Sequence, residues 1–174
     1  MLKKSVLAVV CVVVLGPAWS ALAGLDPDLI AWWPYDEGSG TVAYDESKNG
    51  NDGTLTNSPT WVEGKLDGAL QMSGGSHVSA PYIPLNSRSF TIALWMNPVL
   101  TGGSQVIFSQ AQSGSENLSM HYRLGGDSSD DAPIRGVLMG FYGNDLSSPT
   151  GIFQDYTWYH VAFYYDFENK VRRI

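Results

Sequence analysis

The chain has 174 residues, is 44% hydrophobic, and carries 17 acidic against 10 basic residues for a formal net charge of −7. This length suits one domain plus a targeting segment, and the apolar content is enough for a core. The acidic balance excludes a nucleic-acid binder, which needs a basic footprint.

Residues 1–23 read as a secretory signal peptide. Lys3 and Lys4 form a positive start, Val6–Leu15 is an apolar run, Gly16-Pro17 breaks it, and Ala21-Leu22-Ala23 supplies small residues for cleavage. The run is shorter than the roughly 20 residues that a bilayer span needs. Cleavage is expected to release a domain over 24–174, secreted or at the cell surface, with no membrane insertion once the signal is removed. The alternative reading of the same segment is an uncleaved membrane anchor. Cys11, the one cysteine, leaves with the signal, so disulfides and cysteine–metal sites are not expected. An exported domain without disulfides relies on its core or on another clamp, and calcium is the usual ion outside the cell.

The mature chain then reads as a series of strands. Leu29–Tyr35 is aromatic and extended, closed by Pro34 and by the turn Asp36-Glu37-Gly38-Ser39-Gly40. Thr41–Tyr44 is a brief strand, Asp45–Gly53 an oxygen-rich loop, and Gly53-Thr54-Leu55 is extended again. Asn57–Thr60 is a turn, Ala69–Met72 a strand running into the Gly74-Gly75 turn, and His77–Ala80 a short strand.

Ser89–Asn97 is the clearest strand, with Phe90, Ile92, Leu94 and Met96 alternating with Thr91, Ala93 and Trp95. Gln105–Gln110, Leu118–Leu124 and Ile134–Tyr142 follow, separated by Gly/Ser/Asp turns. Trp158–Tyr165 is apolar on both faces, as a central strand requires. Asp166–Lys170 is a turn, and Val171–Ile174 begins another strand. Helical periodicity is absent, and many short strands with turns between them predict an all-β, antiparallel two-sheet β-sandwich or jelly roll.

Several segments, in order, carry a family resemblance. They are Trp33–Gly40, Asp45-x-Ser47 with Asn49–Leu55, Trp61-Val62-x-Gly64-Lys65-x-x-Gly68-Ala69-Leu70, Ser89–Met96 and Trp158-Tyr159-His160-Val161-Ala162. Together they resemble laminin G-like jelly rolls of the concanavalin A-like lectin/glucanase superfamily, from about Leu29 to the end. The resemblance implies further C-terminal strands beyond Ile174, so the jelly roll is expected to be truncated there.

The Asp45–Gly53 loop has oxygen side chains at Asp45, Ser47 and Asn49, followed by Gly50 and Asn51. Alternating oxygens with a glycine imitate the first half of a calcium loop. An EF-hand is excluded because Thr56 stands where the bidentate Glu should be and no helices flank the loop. The resemblance supports a bound Ca2+ with Asp45, Asn49 and Asn51 as ligands. The other reading is a turn in which Asn and Gly supply positive φ. Both stand.

Catalysis is not expected. Glucanases of the superfamily place two carboxylates on one strand face through Glu-x-Asp-x-x-Glu, and Glu-x-Asp does not occur here. Asp36-Glu37 and Asp45-Glu46 are adjacent, so on a strand they point to opposite faces. Asp166 and Glu168 lie in a turn. His77, His121 and His160 are scattered, with His160 a core or sheet-face residue. Trp33, Trp61, Trp95 and Trp158 are expected in the core and Trp32 outside it. The loops Gly125–Pro133 and Gly143–Thr150 are where ligand specificity would sit.

The reading is a non-catalytic, exported binding domain for carbohydrate or an extracellular protein, with possible calcium. Its alternatives are a fragment of a polysaccharide-degrading enzyme and a structural module of a larger surface protein.

Overall fold

The computed structural model describes residues 26–100, 102–111, 119–141 and 143–174. The expected signal peptide, 1–23, lies outside the described residues. Among these residues no helix forms, and the strands all pair antiparallel. In chain order they are β1 (Val42–Ala43), β2 (Gly53–Thr56), β3 (Thr60–Glu63) and β4 (Gly68–Gln71). Next come β5 (His77–Ser79), β6 (Phe90–Met96), β7 (Gln105–Ala111) and β8 (Ser119–Leu124). The last are β9 (Val137–Gly140), β10 (Leu146–Ser147), β11 (Tyr159–Asp166) and β12 (Val171–Arg173).

The strands form an all-β sandwich whose hydrogen bonding is divided among β1-β2-β5, β3-β4, β12-β11-β6 and β10-β9-β8-β7. The last is a meander with a bulge between Val106 and Phe108. β6 and β11 are far apart in sequence yet run in register from Tyr159↔Met96 to Tyr165↔Phe90.

Period-two patterning places the core between these layers. Phe90, Ile92, Leu94 and Met96 of β6 are buried, while Thr91, Ala93 and Trp95 face outward. Val161 and Phe163 of β11 point the same way as the buried set. Phe163 meets Tyr122 of β8 with ring centroids 4.6 Å apart, which joins the β12-β11-β6 sheet to the four-stranded one. Such aromatic pairs contribute beyond their buried area.

The structure departs from the sequence reading at four places, and two of these departures have a local physical cause. Leu29–Tyr35 alternates between buried and half-buried as a strand should, but it lies outside any sheet because loop side chains take its backbone groups. Val137 begins β9 later than expected, because Arg135 turns the chain with φ 49 and Ile134 bridges in parallel to Gly125. β3 begins within the expected Asn57–Thr60 turn, and β10 interrupts the expected Gly143–Thr150 loop.

Gly68 opens β4 against Tyr35. A Cβ there would collide with the Tyr35 carbonyl and the Asp36 Cα, so the β3–β4 hairpin sits against the lead-in only because residue 68 has no side chain. Asp36 fixes the same contact by accepting the Gly68 N–H at 2.8 Å.

Candidate functional site

The Asp45–Gly53 loop is organised by one buried carboxylate. Asp45 Oδ1 accepts the N–H groups of Trp32 and Ser47, and Oδ2 accepts that of Asn51, each at 2.9 Å. Burial pushes the Asp45 carboxyl up. Contacts from Ser47 and the backbone N–H groups of Trp32 and Asn51 outweigh this and hold it below its ordinary range. Charge-assisted bonds of this kind are the stronger class. Lys48 and Gly50 turn the loop with φ 71 and 75.

The asparagines face inward as donors. Asn49 Nδ2 donates to the Leu29 carbonyl at 2.8 Å and to the Ile30 carbonyl at 3.1 Å, and Asn51 Nδ2 donates to Ile30 at 2.9 Å. A carbonyl can only accept, so these amides must present nitrogen rather than oxygen. Asp45, Asn49 and Asn51 are thus brought together, but N–H donors occupy the interior between them. In this arrangement they do not fit a cation cage, which requires converging oxygen lone pairs. Among the described residues no three His, Cys, Asp or Glu side chains gather where a metal could be held.

Other acids also serve the backbone or pair with arginines. Glu37 Oε1 accepts the Tyr44 N–H at 2.6 Å. Asp166 accepts the Glu168 and Asn169 N–H groups at 3.0 Å, and the Asn169 side chain helps hold its carboxyl below the usual range. In the 125–133 loop, Asp127 forms a two-point pair with Arg135 at 2.5 and 3.0 Å, and Asp131 pairs with Arg123. Asp155 also meets Arg135, at 3.3 Å, and accepts the Leu100 N–H at 2.6 Å.

The outer face of the β12-β11-β6 sheet is the most patterned open surface. Trp95 lies opposite His160, Ala93 opposite Ala162, and Thr91 opposite Tyr164. The Trp95 and His160 rings are 5.2 Å apart, and Lys65 from the β3–β4 hairpin places its Nζ 5.7 Å from the Trp95 ring. At the other end Arg173 stands 5.9 Å from the Tyr164 ring. A shallow floor of two alanines is therefore bounded by aromatic rings about 13 Å apart, at the usual rise per strand residue.

Trp33 is buried and Trp61 packs at the core margin, as expected. Trp95 is on the outer face and Trp158 lies outside the core cluster. The alternation of β6 already opposes Trp95 to the buried Phe90–Met96 set, and that parity is the signal that identifies it. Trp32 is half-buried on the side opposite Trp33.

A cleft of about 570 Å3 lies beside this face, along the edge of β11 and against β10. A smaller polar cleft of about 260 Å3 adjoins the loop at Asn49 and Arg88.

The described residues thus form an all-β sandwich with an aromatic outer face on β6 and β11. A family profile for laminin G-like domains, described as the concanavalin A-like lectin/glucanases superfamily, matches residues 72–174. The chain belongs to this superfamily, whose domains in general bind carbohydrates or proteins. The Asp45–Gly53 loop precedes the matched span. No curated protein and no solved structure matches the chain.

Proposed function

We propose that the chain is a non-catalytic, exported domain that binds a carbohydrate through the outer face of β6 and β11. One observation carries this reading: Trp95–His160 and Tyr164 stand at two ends of a half-buried floor formed by Ala93 and Ala162. Aromatic rings offer apolar faces to the C–H surface of a sugar, while imidazole, ammonium and guanidinium groups at the margins donate hydrogen bonds to its hydroxyls. Asp45, Asp127 and Asp131 are occupied by N–H or arginine partners, which supports a binding role over hydrolysis by a carboxylate pair. The loop at Asp45, Asn49 and Asn51 is held in this reading by hydrogen bonds rather than by calcium. Export rests on the signal-like residues 1–23.

The test is a glycan array followed by titration of the hits against the wild type, Trp95→Ala and Tyr164→Ala. Binding that each substitution weakens at least severalfold, without loss of fold, supports the proposal. Glycan binding unchanged in both variants moves the ligand elsewhere, and no glycan binding with specific capture of an extracellular protein replaces sugar by protein. Hydrolysis of a β-glucan that disappears on substitution of one carboxylate overturns the non-catalytic reading. Recovery from the medium of a chain starting near Gly24 tests export.

A further inference from the structure

We propose that Asn49 is a self-modification site: the Gly50 backbone nitrogen displaces its side-chain amide, and the resulting acid unlatches the Leu29–Tyr35 lead-in from the Asp45–Gly53 loop. This inference is independent of the carbohydrate face and of export. Asn49 is the one asparagine in the sequence that is followed by glycine. Residue 50 has no β-carbon to shield its nitrogen, and no group among the described residues accepts the Gly50 N–H. Both residues are exposed, so water and hydroxide reach them. The amides on either side are engaged instead. Asn49 donates its backbone N–H to Ser47 Oγ at 3.3 Å, and Asn51 donates its own to Asp45 Oδ2 at 2.9 Å.

Once hydroxide has taken its proton, the Gly50 nitrogen forms a bond to Asn49 Cγ. The Cγ–Nδ2 bond breaks, and Nδ2 leaves as ammonia with a proton returned from water. The product is a succinimide ring that joins residues 49 and 50. Water then opens the ring at the side-chain carbonyl, leaving aspartate, or at the main-chain carbonyl, leaving isoaspartate. The sum is amide plus water to acid plus ammonia, with nothing oxidised or reduced. Loss of the ammonia makes the change one-way.

The amide being lost is a latch. Asn49 Nδ2 donates to the Leu29 carbonyl at 2.8 Å, the Ile30 carbonyl at 3.1 Å and Ser47 Oγ at 3.2 Å. A carboxylate only accepts. After the reaction the Leu29 carbonyl has lost this donor, Ile30 keeps those from Ser47 and Asn51, and both carbonyls face a negative charge. The new acid has another place to go. Asn49 lines the small cleft with Leu29 and Ile30, and Arg88 is the cation on its wall, beside Asp28. Turning toward Arg88 gives the carboxylate a charged donor and leaves the lead-in without its clasp.

Ageing of the folded 174-residue chain in mildly alkaline buffer tests this, with peptide mapping by mass spectrometry and enzymatic methylation of isoaspartate. Asn49 is expected to convert faster than any other asparagine. Gly50→Ala should suppress the reaction. Asn49→Gln, whose ring would be one atom larger, should also stay unconverted, and it serves as control if the alanine at a φ of 75 prevents folding. Hydrogen exchange reads the latch. In Asn49→Asp and in the aged chain, the Trp32 and Glu46 amides that join lead-in and loop should exchange about tenfold faster than in the fresh wild type. Arg88→Ala should leave the wild-type exchange unchanged and speed it further in Asn49→Asp. Asn49 that reacts in urea but not in the folded chain overturns the proposal, as does equally fast conversion at other asparagines. Wild-type exchange rates in both Asn49→Asp and the aged chain overturn the latch, and an Asn49→Asp chain indifferent to Arg88→Ala overturns the role of Arg88.

Discussion

The indole Nε1 of Trp33 donates to the backbone carbonyl of Asn51 at 2.8 Å. A core side chain thus holds the far side of the loop whose near side Asp45 organises. The ring packs in the hydrophobic core and its polar edge is satisfied by the loop, which couples the loop's order to the core. Trp33→Phe should therefore cost about 2–3 kcal/mol, from lost packing and an unpaired carbonyl. Urea unfolding measures the cost, and limited proteolysis should show faster cleavage between Asp45 and Gly53. A stability loss with no change in cleavage would separate the loop from the core.

Asp45→Ala removes the acceptor for three backbone N–H groups and should destabilise the fold by about 3 kcal/mol. The effect depends on pH. The folded carboxyl titrates below its unfolded counterpart, so its stabilisation is fully present above the unfolded value of about 3.9 and is lost as pH falls through the lower folded value. Asp127, Asp131 and Asp166 are shifted in the same direction, so wild-type acid unfolding alone does not isolate Asp45. The stability difference between wild type and Asp45→Ala does, and it should shrink as pH falls below about 4.

Calcium should leave the melting temperature unchanged relative to chelator, because the interior of the loop presents N–H groups. A rise with calcium that vanishes in Asn49→Ala and Asn51→Ala would mean that the amides turn and the loop rebuilds into a cage. Thermal melts in both conditions, with magnesium as the control ion, distinguish these outcomes.

Gly68→Ala should destabilise by about 3 kcal/mol, since the new Cβ meets backbone atoms of Tyr35 and Asp36 rather than a side chain that could move. Gly103→Ala is the matched control. Nothing lies within 4 Å of its Cβ position, and its melting temperature should stay close to the wild type.

Strand identity was legible in the sequence wherever alternation was strong, and β6 is the best case, since each residue's burial follows its parity. Pairing was less legible. Leu29–Tyr35 has the alternation of a strand, yet the Trp32 N–H donates to the Asp45 carboxylate and the Trp32 carbonyl accepts the backbone N–H of Glu46 at 2.8 Å. One loop side chain and one loop amide had replaced a neighbouring strand, which local pattern does not encode.

The oxygen-rich loop was legible as a cluster, but the direction of its amides was not. Whether an asparagine presents oxygen or nitrogen depends on what packs against it, and here that is the lead-in carbonyls of Leu29 and Ile30. The outer face was hidden for a related reason. Trp95 and His160 meet only once β6 and β11 are in register, across more than sixty intervening residues.

That register also sets a cost of assembly. β6 pairs with β11 only by closing a loop that holds the whole meander from β7 to β10, so the sheet that carries Phe90, Ile92, Leu94, Met96, Val161 and Phe163 of the core bears a large loop-closure cost. Long-range pairings of this kind slow folding, and until β11 arrives the alternating apolar residues of β6 stay available to bind other chains. Yield during refolding should therefore depend more on protein concentration than native stability alone would suggest.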